Sequence, residues 1–431
     1  MSFVLNDASM QQMSFLDSYN ILTDREKKFL EKSWAKYFAE HIFPKIDERP
    51  YAVLYSGKDS RPNTPVNIQI GALIIKEFKG LSDDELLEAL MFDIRFQYAL
   101  HTTSFLEQPM SDRTLGRFRE RCSAYEKETG IDLLHDTIVS LSGEMAEMMK
   151  LDLSLKRMDS LMVASNIKRM GRLELLYTCV ANLVKEAAAR KEGLPEELKH
   201  YAQADDRNRV IYHNRSEETS EKIAAILKDA VTLKELCGSR YDESSSYQLL
   251  LRVLKEQTVQ NEDGTLRLRT KEDGGMDAAI LQNPADPDAT YREKAGKQNR
   301  GYAANVVEAA GEAGSIVTDY QYEKNTCSDS QFMKDYLEKE EAHQEQATVV
   351  ADGAYSGKTN EGLAAGKNVE LVTTNTKRRA EQQKYRVDHM PVRGLIWSRV
   401  FFGCKIGALN FGKCCKYMQG CKSHAPNTVM A

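Results

Sequence analysis

Leu151-Asp-Leu-Ser-Leu-Lys-Arg-Met-Asp159-Ser-Leu-Met-Val163 is the stretch of sequence on which the fold depends. Side chains of a β-strand alternate between its two faces. If this stretch is a strand, one face is apolar except for two charged members: Leu151, Leu153, Leu155, Arg157, Asp159, Leu161 and Val163. A carboxylate on an apolar face is costly unless a hydrogen bond, a cation or a metal compensates it. Asp159 therefore indicates either a functional site or, more simply, a solvated residue at the fraying edge of a strand. This stretch alone favours the simpler interpretation.

Length and composition set the class of protein. The chain has 431 residues, of which 42% are hydrophobic and 29% charged. These values predict two to four domains, or one domain with a large insertion. No apolar run approaches the roughly 18 residues needed to cross a membrane, and the N-terminus has no basic region ahead of an apolar one. We therefore expect an intracellular protein with no membrane partner.

The cysteines do not form a disulfide scaffold, which is typical of short, cysteine-dense chains. Four of the eight are scattered, and four lie near His424: Cys404, Cys414, Cys415 and Cys421. A zinc site is one interpretation of this group. However, it contains no Cys-x-x-Cys pair, and adjacent cysteines do not fit the usual ligand spacing. The pattern favours unligated thiols.

Charge is distributed unevenly along the chain. The net charge is −5, but residues 376–431 contain eleven Lys and Arg against two acids, giving +9 and leaving −14 for the remainder. Such asymmetry is typical of an end that faces a polyanion. The alternative is a basic tail that is merely solvated.

Residues 1–150 read as an all-α N-terminal domain. Ser82-Asp-Asp-Glu85 predicts a helix start, because the Ser82 and Glu85 side chains can each bond the other's backbone N–H. A helix predicted to begin at Ser111 places Arg113, Arg117 and Arg121 on one face, since residues four apart are neighbours on a helix. Two helices with a basic row on the second are similar to a helix-turn-helix. The connection is too long for the strict motif, and a solvated face with ion pairs explains the row equally well.

The rest of the chain alternates between strands and helices. After the first strand, helices return over about 164–282. The pattern then predicts a hairpin, a helix, a strand, a helix and a strand, at 301–309 with 315–322, 328–344, 348–352, 359–365 and 369–373. Without the helical insertion, this order is similar to the ribonuclease-H-like topology, a mixed sheet with helices on its faces. We therefore predict an α+β protein whose core spans 151–375, followed by a basic C-terminal segment, 376–431.

Two acids stand at strand ends in this order, Asp159 and Asp352. The ribonuclease-H-like topology places the first and fourth strands side by side, which would bring the two acids together. Neighbouring carboxylates repel unless a proton or cation lies between them. Mg²⁺ takes one or two protein carboxylates plus phosphate oxygens, and a pair of ions about 3.5–4 Å apart supports in-line displacement at phosphorus. The simpler interpretation is that Asp352-Gly353 is only a turn, because Asp-Gly is a common turn dipeptide.

Several motifs resemble one family over nearly the whole chain. They are Tyr55-Ser-Gly-Lys-Asp-Ser-Arg-Pro, Gly80-Leu-Ser-Asp-Asp-Glu-Leu, Ser111-Asp-Arg-Thr-Leu-Gly-Arg-Phe-Arg, Met158-Asp-Ser-Leu-Met-Val-Ala-Ser-Asn, Asp286-Pro-Asp-Ala-Thr-Tyr, Gly301-Tyr-Ala-Ala-Asn, Ala351-Asp-Gly-Ala-Tyr-Ser, Met390-Pro-Val-Arg-Gly and Phe401-Phe-Gly-Cys-Lys-Ile-Gly-Ala-Leu-Asn-Phe411. Together they resemble the DDE transposases of bacterial insertion sequences, in particular those with a helical N-terminal domain and an insertion-bearing ribonuclease-H-like core.

The resemblance implies a site and its partners. It implies that Asp159 and Asp352 are the first two catalytic acids and that both bind Mg²⁺ or Mn²⁺. It also implies that the N-terminal helices contact double-stranded DNA, and we take Arg113, Arg117 and Arg121 as the candidate contacts. The expected DNA partners are transposon terminal repeats and target DNA, bound by a homodimer in the bacterial cytoplasm, at the nucleoid.

The chain departs from the family at the third acid, a glutamate on a helix shortly before the Met-Pro-Val-Arg-Gly motif. Only Glu361, Glu370, Glu381 and Asp388 follow Asp352. Glu381 alone is near the expected place, and nothing around it matches the family motif. The letters Tyr-Arg-Glu-Lys at 291–294 spell a transposase signature, but they are contiguous and precede Asp352, so we assign them no catalytic role. Two hypotheses remain: a DDE transposase impaired by an internal deletion, and a non-catalytic DNA-binding remnant or repressor that recognises the element's ends.

Overall fold

The computed structural model describes residues 1–6, 17–58, 61–105, 107–212, 216–275, 277–294, 296–373 and 385–423. Its helices are α1 (Asp24–Glu31), α2 (Trp34–Tyr37), α3 (Val66–Lys79), α4 (Asp83–Phe92), α5 (Ile94–Ala99), α6 (Thr114–Thr129), α7 (Leu133–Met148), α8 (Arg172–Ala189), α9 (Asp206–Ile211), α10 (Ser216–Cys237), α11 (Ser245–Gln257), α12 (Asp329–Lys339), α13 (Lys358–Gly366) and α14 (Leu395–Ser423). Its strands are β1 (Leu155–Ala164), β2 (Thr258–Gln260), β3 (Leu266–Leu268), β4 (Thr290–Lys294), β5 (Lys297–Gly311), β6 (Gly314–Lys324), β7 (Ala347–Ala351) and β8 (Val369–Thr373). The α+β prediction is correct.

The described residues before β1 form helices and tight helical turns, without a long strand. Residues 66–76 of α3 are buried without interruption. The buried Glu48 carboxylate accepts from the Val66 and Asn67 amides at 2.6 and 3.2 Å, which satisfies N–H groups at the start of α3. The predicted start of α4 is also correct. Glu85 N–H donates to Ser82 Oγ at 3.2 Å, and Ser82 N–H donates to Glu85 Oε2 at 2.7 Å.

The main sheet has both antiparallel and parallel pairs. Strand β1 lies between β5, which is antiparallel to it, and β7, which is parallel. Strand β8 continues the sheet parallel to β7, while β4 and β6 both pair antiparallel with β5. The expected adjacency of the first strand and the strand that ends before Asp352 is therefore correct. Strand β4 was not predicted, and it contains the Tyr-Arg-Glu-Lys letters at 291–294.

The first strand begins later than predicted. Strand β1 starts at Leu155, because the Asp152 carboxylate accepts from both the backbone N–H and the hydroxyl of Ser154 and so closes a turn. Leu153 and Leu155 are 42% and 44% exposed, so the predicted apolar face is wrong at this end. Leu161, further along β1, does pack into the main hydrophobic core.

Helix α14 is the main feature that the sequence analysis missed. It packs on α3, α6 and α7 as well as on β6, so one hydrophobic core joins the N-terminal helices to the sheet. Helix α14 also contains part of the basic C-terminal segment that was predicted to face a polyanion. Lys405 pairs with Glu77 at 2.9 Å and Lys413 with Glu308 at 2.7 Å, both inside the structure. These two lysines cannot form a basic tail, whether solvated or facing a polyanion.

Helices α8, α10 and α11 pack together around a second hydrophobic core, within the predicted insertion. A two-stranded sheet of β2 and β3, absent from the prediction, follows α11. Within the described parts of the chain, no helix combines the length and apolar character needed to span a membrane.

Candidate active site

Asp159 and Asp352 come together through the register of β1 and β7. The paired residues are Leu155 with Thr348, Lys156 with Val349 and Arg157 with Val350. Asp159 lies two residues after Arg157, and Asp352 lies two residues after Val350. Since neighbouring strands lie about 4.8 Å apart, this register makes the two acids neighbours. Side-chain alternation places both on the face of the sheet that carries Leu161, which we call the aspartate face.

The local backbone holds Asp352 at the end of β7. Asp352 precedes a single helical turn, Gly353–Tyr355, and its Oδ1 accepts from the Ala354 N–H at 2.7 Å. The Tyr355 N–H donates to the Asp352 carbonyl at 3.2 Å. The Asp-Gly pair thus does form a turn, as the simpler interpretation held. The same turn ends the strand and fixes the carboxylate beside β1, so the turn and the site are compatible.

A buried polar relay anchors this turn from the opposite face of the sheet. The Tyr355 hydroxyl donates to Asn305 Oδ1 at 2.9 Å, and Asn305 Nδ2 donates to Gln321 Oε1 at 2.7 Å. Gln321 in turn donates to the Phe332 carbonyl of α12 at 3.1 Å. Tyr355 is 1% exposed and Asn305 0%. The relay ties the Asp352 turn to β5, β6 and α12.

The pKa of the Tyr355 hydroxyl is raised. Burial raises the pKa of Tyr355 above its usual range, a hydrogen bond with Ser160 opposes that rise, and the charges of Asp329, Asp159 and Asp352 raise it further. Asp329 is itself 4% exposed and lies 3.7 Å from both Arg292 and Lys294. The hydroxyl therefore stays protonated and serves as a hydrogen-bond donor to Asn305.

The described residues do not supply a third acid to the pair. Glu370 is exposed on β8 opposite Thr348, four residues before Asp352 on β7, which corresponds to about 13 Å along the strand. Glu361 is exposed on α13. Glu381, the acid nearest the family position, lies outside the described residues. Within the described ranges, no group of three or more His, Cys, Asp or Glu side chains could hold a metal ion.

The donor chemistry of the pair nevertheless suits a hard cation. Two carboxylates on adjacent strands offer oxygen ligands, and Mg²⁺ commonly takes one or two carboxylates while keeping several waters. The aspartate face beyond the pair is partly open, since Leu155 and Val372 are 44% and 37% exposed there. Asp159 and Asp352 are the residues that would hold a metal.

The three arginines predicted to contact DNA differ in how far they are exposed. Arg113 precedes α6, while Arg117 and Arg121 lie within it. Arg113 and Arg117 are exposed, whereas Arg121 is half-buried with its guanidinium 4.9 Å from the centre of the Tyr55 ring. Arg113 and Arg117 are thus available to a polyanion, and Arg121 packs against the protein.

Sequence reasoning missed Tyr355 and Asn305, although both belong to motifs it had used. Gly301-Tyr-Ala-Ala-Asn ends at Asn305, and Ala351-Asp-Gly-Ala-Tyr-Ser contains Tyr355. Each residue occupies a position where an apolar side chain would be expected to pack. A polar residue at a core position of a strand or turn was the available signal, because buried polar groups need partners.

Comparison with known proteins gives one match. Residues 25–121 match the family model of a transposase domain (DUF772). The match spans α1 to the middle of α6, includes all three arginines, and covers less than a quarter of the chain. It supports a transposase-like function and, more generally, a DNA-processing enzyme. The search of curated proteins and the search of solved structures gave no match.

Proposed function

We propose that this protein is a DDE-type transposase of a bacterial insertion sequence, with a ribonuclease-H-like core that cleaves and joins DNA at Asp159 and Asp352. The observation that carries the proposal is the register of β1 and β7, which makes these two acids neighbours. The transposase-domain match ahead of them supports it independently. Its partners would be the element's terminal repeats and target DNA, bound by a homodimer at the nucleoid.

The strand order supports the ribonuclease-H-like core. The sheet runs β6, β5, β1, β7, β8, with antiparallel pairs among the first three strands and parallel pairs among the last three. Helices α12 and α13 connect β6 to β7 and β7 to β8. Ligands of sheets that contain parallel strands bind at the carboxyl ends of those strands. Asp352 stands at such an end.

In the proposed mechanism, the two aspartates would hold Mg²⁺ or Mn²⁺ and leave room for phosphate oxygens. When bound, such an ion would supply Lewis-acid polarisation and activation of water or a 3′-hydroxyl. The Ala354 N–H and the Tyr355 relay keep the Asp352 carboxylate in place. Preorganisation of this kind removes the cost of arranging charged ligands during the reaction.

A second candidate function rests on the missing third acid. A non-catalytic protein that binds the element's ends, and so acts as a repressor, needs only the exposed basic residues and no complete metal site. The absence of a three-acid group within the described residues favours this candidate. It predicts DNA affinity that weakens steeply with salt and no cleavage at any Mn²⁺ concentration.

The experiment that separates the two is a nicking assay on duplex DNA carrying the repeats that flank the gene. We expect strand cleavage that requires Mg²⁺ or Mn²⁺ and falls by at least 100-fold in Asp159→Asn and in Asp352→Asn. Asp263→Asn is the matched control, since Asp263 is an exposed acid in the turn between β2 and β3.

The outcomes distinguish the hypotheses. Cleavage by both aspartate variants at the parental rate would show that the site assignment is wrong. Salt-dependent DNA binding without cleavage by the parent would favour the repressor. No binding to DNA at all would reject both.

A further inference from the structure

Three arginines cluster where the chain leaves β1. Arg169 is exposed in the loop after β1, Arg300 immediately precedes the part of β5 that pairs with β1, and Arg393 is exposed just before α14. Backbone bonds join the three segments. Ser165 N–H donates to the Arg300 carbonyl at 3.1 Å, and Ala164 N–H donates to the Asp388 carbonyl at 2.9 Å. The cluster is thus a built surface drawn from distant parts of the sequence.

The hydrogen-bond partners of these arginines are neutral. Arg169 donates to Gln298 Oε1 at 2.8 Å and Arg300 to Gln282 Oε1 at 3.1 Å. Arg393 Nε donates to the Asn166 carbonyl at 2.7 Å. Within the described residues no carboxylate forms an ion pair with any of the three. None of the three is therefore held in a close ion pair with another described residue, and the carboxylate of Glu293, on the same face of β4 and β5, accepts from the Tyr291 hydroxyl at 3.0 Å instead.

Two of the arginines, Arg169 and Arg300, repel each other. Burial lowers the pKa of Arg300, and the nearby charge of Arg169 lowers it further. The Arg300 guanidinium lies 5.3 Å from the centre of the Tyr291 ring, and this contact partly stabilises its positive charge. The buried acid below, Asp286, accepts instead from the hydroxyls of Ser165 and Tyr302. Like charges held together with neutral partners are typical of a surface that binds an anion, because the anion supplies the missing compensation.

The position of the cluster suits an extended polyanion that also reaches the two aspartates. Ala164, at the end of β1, is five residues beyond Asp159, or about 16 Å along the strand. That distance corresponds to about five base pairs of duplex DNA at 3.4 Å per step. Guanidinium groups match phosphate oxygens with two parallel hydrogen bonds.

We propose that Arg169, Arg300 and Arg393 bind backbone phosphates of duplex DNA about five base pairs from the strand held at Asp159 and Asp352. All three lie outside residues 25–121, the part of the chain that matches the transposase domain. The inference rests on the proposed DNA-processing function, and it names the surface of the core that the DNA follows.

The test measures how the DNA affinity of the full chain depends on salt. Fluorescence anisotropy with a 30-base-pair duplex is compared for the parent and for a triple variant, Arg169→Gln, Arg300→Gln and Arg393→Gln. Each lost phosphate contact reduces the slope of log K against log salt by about 0.9. We therefore expect the slope to fall by about 2.7, so that between 50 and 200 mM salt the parent loses about 40-fold more affinity than the variant.

Two further variants keep the test decisive. The double variant Arg169→Gln, Arg393→Gln changes only exposed side chains and should reduce the slope by about 1.8. A charge-matched control replaces three exposed lysines of α8 and α10 by Gln, namely Lys185, Lys228 and Lys234, and should keep the parental slope.

A parental slope in both arginine variants would overturn the inference and leave the proposed function standing. An equal loss in the lysine control would also overturn it, because the effect would then follow net charge alone. If the parent itself binds no DNA, the proposed function fails and the inference fails with it.

Discussion

Replacing Asn410 by Leu should destabilise the protein strongly, because this side chain completes the hydrogen bonding of β6. Asn410 is 0% exposed on α14. Its Oδ1 accepts from the Val317 N–H at 2.9 Å, and its Nδ2 donates to the Val317 carbonyl at 2.7 Å and to Ser142 Oγ at 2.9 Å. The pairing of β5 with β6 shifts register beside Val317, and the amide of Asn410 satisfies both backbone groups of that residue.

The magnitude follows from what the substitution leaves behind. Leucine has as many side-chain non-hydrogen atoms as asparagine and is larger, so the substitution leaves no cavity. The Val317 N–H and C=O lose their partners in the core, and each unsatisfied buried group costs about 1–3 kcal/mol. The Ser142 hydroxyl still donates to the Ile138 carbonyl at 2.6 Å. We therefore expect the free energy of unfolding to fall by about 2–6 kcal/mol.

Urea unfolding followed by circular dichroism and by tryptophan fluorescence measures this change, since Trp34 and Trp397 both contact the main core. Gln419→Leu, at an exposed position of the same helix, is the control and should change the free energy by less than about 0.5 kcal/mol. A loss below 1 kcal/mol in Asn410→Leu would show that β6 does not depend on this amide. The reasoning about α14 would then be refuted.

Two more predictions concern the site and the boundary between helices and sheet. Tyr355→Phe removes only the hydroxyl that donates to Asn305, and we expect about tenfold weaker Mn²⁺ binding by calorimetry, as for other groups that orient metal ligands. The control, Tyr302→Phe, loses an equally buried hydrogen bond to the acid Asp286 and should keep the parental affinity. Equal affinities in all three proteins would contradict the role of Tyr355. Burial alone would lower the pKa of His135, but hydrogen bonds to Asp136 and Asp319 outweigh it and raise that pKa to about 9. Because the folded pKa is raised, the stabilisation by His135 is complete below about pH 6.5, is lost as the pH rises through 9, and amounts to about 3 kcal/mol. Urea unfolding should therefore show a difference between the parent and His135→Gln at pH 6 that shrinks by pH 10, and a constant difference would be contrary to this account.

Local patterns predicted much of the sheet. Strand β8 has the predicted bounds, and α13 differs by one residue at each end. Both are short elements whose ends are marked by glycine or by a change of periodicity. The adjacency of Asp159 and Asp352 also followed from element order. The strand β4 was missed because its five residues carry three charges and lack an apolar alternation.

Helix α14 could not be predicted from local pattern, because its sequence argues against a helix. Four glycines interrupt it at 403, 407, 412 and 420, and glycine in a helix interior costs about 1 kcal/mol relative to alanine. Tertiary packing explains them. A Cβ at Gly403 would lie 2.4 Å from the Tyr320 hydroxyl, and one at Gly412 would lie 2.3 Å from the Tyr385 hydroxyl. These glycines allow close approach to residues that are distant in sequence, so a local sequence pattern cannot show why they are there.

The place of α14 in the chain has a consequence for synthesis. Helix α3 buries its apolar surface against α14, whose first residue follows the last residue of α3 by more than 300 positions. During synthesis, the contact between α3 and α14 therefore cannot form until nearly the whole chain has been translated. Contacts of such long sequence separation fold slowly, and apolar surface exposed meanwhile favours aggregation and proteolysis. A translation product that stops before Leu395 would carry every residue of the two-aspartate site and still lack the helix that closes the core.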